Sequence, residues 1–194
     1  YEKFLGETIR SVLAQRADFE IVVSDNASTD TSVAIVKGFG DPRIKVRINQ
    51  ANVGFAGNLD RAARMATGEI VNMLSSDDLM RPAALETYGA LFPAIEPDAV
   101  VTASVDVIDS KGVRTDGLGS DPLLWTAADV VAGLPVPARV KVYRVEAGEL
   151  LRRCLKTVRN PFHFLATAYP RALYEQIEGY GGGRVINPDK WFHW

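Results

Sequence analysis

The first 110 residues alternate between helix-like and strand-like patterns, and this alternation limits the chain to a small set of folds. Apolar residues recur at helical spacing over residues 2–15. Short apolar or alternating runs then predict strands at 20–24, 44–48, 69–74 and 99–108, with a helical pattern between each strand and the next. Strands that alternate with helices form a mostly parallel sheet covered by helices on both faces. The sequence therefore predicts an α/β fold.

The strand predicted at residues 69–74 is followed by two adjacent carboxylates, Asp77 and Asp78. Ligands and metals in α/β proteins bind at the C-terminal ends of strands. Neighbouring side chains of an extended segment point to opposite sides, so one carboxylate can face a metal while the other faces another part of the ligand. Mg²⁺ and Mn²⁺ favour carboxylate and phosphate oxygens. The alternative is that the pair caps the helix predicted to begin at Pro82.

Polar residues also follow the strand predicted at residues 20–24. Asp25 and Asn26 lie where a ligand that crosses the edge of the sheet would pass, and a carboxylate there can accept a hydrogen bond from the N–H group of a base. For residues 28–30 we favour the alternative of a turn that caps the next helix.

A glycine-bearing loop at residues 49–58 opens the next helical pattern. Its glycines would let the backbone approach a ligand closely. Arg61 and Arg64, about one helical turn apart, would reach a phosphate, although a solvated helix face is the more common role of such a pair. The sequence has neither a G-x-G-x-x-G motif nor a G-K-[ST] motif, so a dinucleotide fold and a Walker-type loop are both unsupported.

The C-terminal part carries a second group of polar residues. A strand is predicted at 162–169 and a last helix from Asn187. Asp189 and His193 would share one face of that helix, where they offer a base and a candidate metal ligand. A structural role is the more common one for such a pair.

Together these stretches resemble the inverting family-two glycosyltransferases, whose catalytic domain has the GT-A fold. "EIVVSDNASTD" at residues 20–30 is similar to the family's "EIVVVDDGSTD", and "LSSDD" at 74–78 is similar to its metal-binding "LDADD". Residues 161–194 are similar to the acceptor-side segment of the family. The family's N-x-G … N … A-x-G pattern is matched by Asn52, Gly54, Asn58 and Gly68.

The resemblance implies a donor site for a nucleoside-diphosphate sugar, with a UDP-sugar as the leading candidate. Asp25 would accept a hydrogen bond from the nucleobase. Asp77 would bind the ribose or take part in the metal site. The other donor-binding positions implied by the family pattern are Asn26, Gly54 and Asn58.

The resemblance also implies the chemistry. Asp78, with Asp77, would coordinate Mg²⁺ or Mn²⁺ on the diphosphate, and His193 is a further candidate ligand. Asp189 would be the general base that deprotonates the acceptor hydroxyl, which attacks the anomeric carbon and inverts its configuration. The acceptor would be a glycan, a lipid-linked sugar or another hydroxyl compound, as expected for a hexosyltransferase of polysaccharide biosynthesis.

The chain departs from the family pattern at three places. Ser75 stands in place of the first acid of "DADD", and Pro188 stands where the family has a glutamate before the base. The family's first strand would precede Tyr1. We therefore expect residues 1–194 to be a single GT-A-like domain truncated at both ends, with the donor-binding part at about 1–110 and the acceptor-side part at about 111–194.

Composition excludes several classes of protein. The net charge of −2 gives no support for a nucleic-acid partner, and the single cysteine, Cys154, forms no intramolecular disulfide. We expect a cytoplasmic location, with association of the parent protein with the inner face of a membrane compatible with the resemblance. Two alternatives remain: a nucleotidyltransferase-like enzyme and a non-catalytic module that binds sugar nucleotides or glycans.

Overall fold

The computed structural model describes residues 1–118, 121–160 and 163–179. Its α-helices are α1 (Glu2–Leu13), α2 (Ser32–Gly38), α3 (Gly54–Met65), α4 (Ala84–Leu91), α5 (Ala147–Thr157) and α6 (Arg171–Gln176). Its strands are β1 (Ile21–Asp25), β2 (Ile44–Ile48), β3 (Ile70–Asn72), β4 (Val101–Thr102), β5 (Val105–Ile108), β6 (Arg114–Leu118), β7 (Val130–Val131), β8 (Val142–Tyr143) and β9 (Thr167–Pro170). No helix in these ranges is long and apolar enough to cross a membrane.

The N-terminal part is built on a parallel pair of strands. β1 and β2 pair in parallel, with Ile21 opposite Ile44, and α2 forms the crossover between them. The apolar faces of α1 and α2 pack together, where Leu5, Ile9 and Val36 are buried. Because this cluster also contacts the apolar side chains of both strands, α1 is fixed against the sheet by the hydrophobic effect.

The second part of the sheet has a different direction of pairing. β9 lies between β3 and β4 and is antiparallel to both, with Val71 opposite Tyr169 and Val101 opposite Ala168. Residues 167–169 are almost fully buried, which explains why this short segment forms a central strand. The α/β fold class is confirmed. The expectation of mostly parallel pairing holds for β1 and β2 only, because in the described ranges every other pairing is antiparallel.

Several element boundaries differ from the sequence pattern: α1 ends at Leu13 rather than at residue 15, and β3 is limited to Ile70–Asn72. The helix expected from Pro82 begins at Ala84, because Ala83 adopts a left-handed conformation with φ of 63° at the cap. The strand expected at 99–108 is divided into β4 and β5. β5 turns away to form an antiparallel hairpin with β6, which runs in the opposite direction after a turn at residues 109–112.

Candidate functional site

Asp25 closes β1 and is buried, with 8% of its surface exposed. Its Oδ2 accepts a hydrogen bond from the backbone N–H of Ser28 at 3.0 Å, which fixes the turn after the strand. Its backbone carbonyl accepts a hydrogen bond from the N–H of Asn49 at 2.9 Å, after β2. No described residue donates a hydrogen bond to Oδ1, so this oxygen is available to a ligand. The turn expected at residues 28–30 is present.

Asn26 holds the glycine-bearing loop against the end of β1. Its amide donates hydrogen bonds to Oδ1 of Asn52 at 2.9 Å and to the carbonyl of Gly54 at 3.3 Å. Its Oδ1 accepts the N–H of Val53 at 2.9 Å. Gly54 has φ of 77°, a conformation that glycine adopts without steric cost. The side chain of Asn26 therefore fixes the backbone that begins α3.

A buried asparagine connects these loops to α3. Asn49 donates hydrogen bonds to Oδ1 of Asn58 at 2.8 Å and Oδ1 of Asn26 at 3.4 Å, and accepts one from Arg61 at 2.7 Å. Asn58 also accepts from the hydroxyl of Ser24 at 2.8 Å and donates to the carbonyl of Ser24 at 2.9 Å. We call Asn26, Asn49, Asn52 and Asn58 the asparagine network. It brings together three of the predicted donor-site positions, Asn26, Gly54 and Asn58.

The two arginines of α3 are engaged with protein groups. Arg61 bonds to Asn49, and Arg64 forms an ion pair with Asp60 at 2.7 Å. Arg64 is exposed, as expected for a solvated helix face. Arg61 instead stabilises the asparagine network.

Asp77 and Asp78 lie in a loop beyond the end of β3, at residues 76–81, which we call the acidic loop. Asp77 is exposed, whereas Asp78 is partly buried. Burial, and to a smaller extent the charge of Asp77, raises the pKa of Asp78 above its usual range. Neither carboxylate caps α4, because the N-cap residue is Ala83 and the side chain that accepts an N–H of its first turn is that of Gln15. The alternative of a simple helix cap is therefore wrong.

Two polar residues of α1, and Gln15 just after its C-terminal end, contact this region and were missed by the sequence reasoning. Thr8 donates a hydrogen bond to the carbonyl of Ser76 at 3.0 Å, and Ser11 accepts the N–H of Met80 at 2.9 Å. Gln15 donates to the carbonyl of Arg81 at 3.1 Å and accepts the N–H of Leu85 at 3.2 Å. The available signal was their spacing, since positions 8, 11 and 15 fall on one helical face.

The acidic loop fits a divalent cation shared with a ligand. In the described part of the chain, no group of three or more histidine, cysteine or acidic side chains comes together to form a complete metal site. Asp77 and Asp78 offer hard oxygen ligands, and no described residue donates a hydrogen bond to the side chain of Asp78. Mg²⁺ and Mn²⁺ are commonly bound by one or two carboxylates together with substrate phosphates. The chemistry of this pair matches that mode of binding.

The other predicted site residues cannot be placed in this geometry. Asp189 and His193 lie outside the described residues. Asp25 and the acidic loop stand on different strand ends, after β1 and after β3, and no direct bond joins them. The structure thus joins the predicted donor-site positions Asn26, Gly54 and Asn58 through the asparagine network. It holds the acidic loop separately, mainly through α1 and Gln15.

Solved structures identify the class of protein that has this architecture. The chain matches a crystal structure of residues 1–349 of TarS from Staphylococcus aureus with a TM-score of 0.71 and 20% identity, over 100% of this chain and 51% of that one. The TarS fragment in complex with UDP-GlcNAc gives 0.62 at 21% identity, over 91% and 44% of the two chains. The mannosyltransferase PcManGT of Pyrobaculum calidifontis, in complex with GDP-Man and Mn²⁺, gives 0.61 at 18% identity, over 97% and 47%. The fold is the GT-A fold of glycosyltransferases.

The family follows from the sequence match. Residues 1–133 match the family described as glycosyl transferase family 2, and the chain belongs to this family. An uncharacterized glycosyltransferase of Nostoc sp. is 34% identical over 120 residues, which cover 60% of this chain and 37% of that protein. The chain thus spans about half or less of the proteins that it matches.

Proposed function

We propose that this chain is the donor-binding and catalytic domain of an inverting glycosyltransferase. It would move a hexose from a nucleoside diphosphate to an acceptor hydroxyl. The observation that carries this proposal is Asp78, a partly buried carboxylate beside Asp77 that no described residue neutralises or hydrogen-bonds through its side chain. Such a group, in a family of sugar transferases, is suited to a cation bound to a diphosphate.

The donor in this proposal is a nucleoside-diphosphate sugar, with a UDP-sugar as the leading candidate. The complexes of TarS with UDP-GlcNAc and of PcManGT with GDP-Man support the donor class. Asp25 would accept a hydrogen bond from the base through Oδ1, while its Oδ2 stays bonded to Ser28. Gly54 would bring its backbone close to the donor, and Asn26 and Asn58 would hold that loop in place.

The reaction needs a leaving diphosphate and a deprotonated hydroxyl. Mg²⁺ or Mn²⁺, when held by Asp78 and Asp77, would neutralise the charge that develops on the diphosphate. Asp77 would bind the ribose or take part in the metal site. Asp189 would accept the proton of the acceptor hydroxyl. The hydroxyl oxygen then bonds to the anomeric carbon as the bond from that carbon to the phosphate oxygen breaks on the opposite side, which inverts the configuration. His193 is a further candidate cation ligand.

The acceptor and the setting belong to the same proposal. The acceptor would be a glycan, a lipid-linked sugar or another hydroxyl compound, in polysaccharide biosynthesis. The reaction would take place in the cytoplasm, including at the inner face of a membrane. The single thiol of the chain, Cys154, is buried and unpaired, which is compatible with a reducing compartment.

Donor turnover in the full-length protein tests this proposal. Release of UDP from a panel of UDP-sugars, with and without Mn²⁺, should depend on the metal in the wild type and be lost in Asp78→Asn. Asp98→Asn is a matched control, because Asp98 is exposed and lies on another segment. Asp189→Ala should abolish transfer to acceptor and preserve donor binding. Transfer retained in Asp189→Ala but lost in His193→Ala would assign the base to His193.

The same experiment separates the alternatives. Calorimetric binding of UDP with no turnover of any donor would favour a non-catalytic binding module, for which Ser75 in place of an acid is the supporting feature. Release of pyrophosphate from a nucleoside triphosphate would favour a nucleotidyltransferase. Metal-dependent turnover unchanged in Asp78→Asn would contradict the assignment of Asp78.

A further inference from the structure

The acidic loop has little hydrogen bonding of its own. The backbone bond within the turn, from the N–H of Asp78 to the carbonyl of Ser75, is long at 3.4 Å. Apart from the exposed ion pair of Arg81 with Asp106 at 2.9 Å, the bonds that hold the loop come from α1 and from Gln15 just after it, on both sides of the acidic pair. Thr8 bonds to the residue directly before Asp77, and Ser11 bonds to Met80, two residues after Asp78. The position of the two carboxylates therefore depends on a helix that contributes no acid to the site.

Loss of the contacts that Thr8 of α1 and Gln15 just after it make with the loop would be costly in free energy. Thr8 and Gln15 are each only 6% exposed, so their polar atoms have little access to water if the loop moves. Gln15 uses both ends of its amide, because Nε2 bonds to the carbonyl of Arg81 and Oε1 bonds to the N–H of Leu85 in the first turn of α4. It thereby links the end of the acidic loop to the start of α4.

The apolar face of α1 packs against β1 and β2, the strands next to the proposed nucleotide site. Leu5 and Ile9 are buried in the cluster that contacts β1 and β2. β1 ends at Asp25, the residue assigned to the base of the donor. α1 thus connects the sheet that holds Asp25 to the backbone that holds Asp77 and Asp78. No direct bond joins these acids, so α1 is a physical link between the two ends of the donor site.

We propose that Ser11 and Gln15, with Thr8, are positioning residues that hold the acidic loop in the geometry needed to share a cation with a bound diphosphate. This inference rests on the proposed function. Besides bonds to carbonyls of α1, the three side chains bond to the backbone of residues 76–85, and they would act on the cation through that backbone. Loss of one of them should reduce the gain in nucleotide affinity that the metal provides. The affinity measured without metal, to which Asp25 contributes, should stay unchanged.

Two substitutions in the full-length protein test this inference. Ser11→Ala removes the acceptor for Met80. Gln15→Met keeps the length of the side chain but removes its three hydrogen bonds, with the carbonyls of Ser11 and Arg81 and the N–H of Leu85. Calorimetry gives the affinity for UDP in MnCl₂ and in EDTA. We expect the ratio of the two affinities to fall by about 10-fold in each variant, as is typical when groups that orient metal ligands are lost. The affinity in EDTA should equal that of the wild type, and Ser11→Thr, which keeps the hydroxyl, should restore the ratio.

Amide hydrogen exchange provides a readout that does not depend on binding. Ser11→Ala should speed exchange at Met80, whose N–H loses its acceptor, and leave the amides of β1 unchanged. Ser104→Ala is the matched control, because Ser104 is exposed and lies on another segment. Both readouts should be at wild-type values in this control.

The outcomes distinguish the inference from the proposed function. A wild-type ratio in Ser11→Ala and Gln15→Met would overturn the positioning role, as would an equal loss of affinity in MnCl₂ and EDTA, which would indicate general destabilisation. If the wild type binds UDP no better with Mn²⁺ than with EDTA, the proposed metal site is wrong. The same holds if Asp78→Asn keeps the increase in UDP affinity that Mn²⁺ causes. In both cases this inference is wrong as well.

Discussion

Glu20 and Thr67, which are 47 positions apart in the sequence, are joined by hydrogen bonds that tie the start of β1 to the turn before β3. Oε1 of Glu20 accepts the N–H and the hydroxyl of Thr67, the latter at 2.8 Å, and the N–H of Gly68 at 3.0 Å. Oε2 forms an ion pair with Lys45 on β2. One carboxylate therefore connects the parallel strands to the strand that leads into the acidic loop.

We predict that Glu20→Gln destabilises the fold in a pH-dependent way. Burial alone would raise the pKa of Glu20, but the hydrogen bonds from Lys45, Thr67 and Gly68 outweigh it and lower the pKa to about 2, from 4.5. Because the folded-state pKa lies below the unfolded value, this stability is fully present above about pH 4.5 and is lost as the pH falls toward 2. A shift of this size corresponds to about 3 kcal/mol.

Urea unfolding between pH 3 and 7 measures this effect. The free energy of unfolding of the wild type should fall with decreasing pH in this window more steeply than that of Glu20→Gln, by up to about 1.4 kcal/mol per pH unit. Glu7→Gln, on the exposed face of α1, should keep the wild-type slope. Equal slopes for the wild type and Glu20→Gln would show that the contacts of Glu20 with the turn do not stabilise the folded protein.

We predict that Asn49→Ala destabilises the fold by about 2 kcal/mol, because it leaves buried partners in the asparagine network without a hydrogen bond. Asn49 is 4% exposed and bonds to Asn26, Asn58 and Arg61. Gln50→Ala, the exposed neighbour, should stay within about 0.5 kcal/mol of the wild type. Urea unfolding compares the two variants, and equal effects would contradict the role of the network.

β1 and β2 could be predicted from sequence because their pairing is local. β2 has the bounds that its alternating pattern predicts, residues 44–48, and β1 differs by one residue from the predicted 20–24. The two strands are consecutive along the chain and are joined by one short helix, which is the arrangement that the alternation of helices and strands indicates. Because the end of β1 was predicted to within one residue, the positions of Asp25 and Asn26 at the C-terminal end of this strand were predicted as well.

The antiparallel half could not be predicted in the same way. β9 pairs with β3 and β4 across long sequence separations, with Asn72 opposite Ala168, and no local pattern encodes such a partner. The strand expected at 162–169 begins only at Thr167, because a 3₁₀ turn at Phe164–Ala166 precedes it. The role of Thr8 and Gln15 was hidden for a similar reason. From sequence alone, a polar residue in a helical pattern is interpreted as exposed, because its hydrogen-bond partner in a distant segment is not known.

A pair of glycines at the start of α3 should respond oppositely to alanine. Gly54 has φ of 77°, and a Cβ there would meet no atom within 4 Å, so Gly54→Ala suffers from backbone strain rather than from a clash. The cost of that conformation is about 1–2 kcal/mol. At Gly57, inside α3, a Cβ would lie 3.4 Å from the side chain of Val53, and alanine gains about 0.8 kcal/mol of helix propensity.

Urea unfolding of the two variants tests this difference. Gly54→Ala should unfold at lower urea than the wild type, and Gly57→Ala should match or exceed it. Gly54→Ala should also weaken UDP binding if the loop approaches the donor as proposed. Similar effects of the two substitutions would contradict the assignment of strain to Gly54.

The last prediction concerns recognition of the base by Asp25. Oδ2 is already bonded to the N–H of Ser28, so only Oδ1 remains for the ligand. In Asp25→Asn, the amide must turn its NH₂ group either toward Ser28 or toward the base, and in each orientation one donor faces another donor. Loss of a hydrogen bond to a charged group costs about 1.5–3 kcal/mol, so the affinity for UDP should fall by about 10-fold or more.

Comparison of two ligands shows whether Asp25 contacts the base. Calorimetry with UDP should give this loss equally in EDTA and in MnCl₂, because Asp25 lies at the end of β1 and not in the acidic loop. Pyrophosphate, which has no base, should bind Asp25→Asn with the wild-type affinity in MnCl₂. An equal loss for UDP and pyrophosphate would instead mean that the substitution disturbs the turn at Ser28, and base recognition would then have to be assigned to another residue.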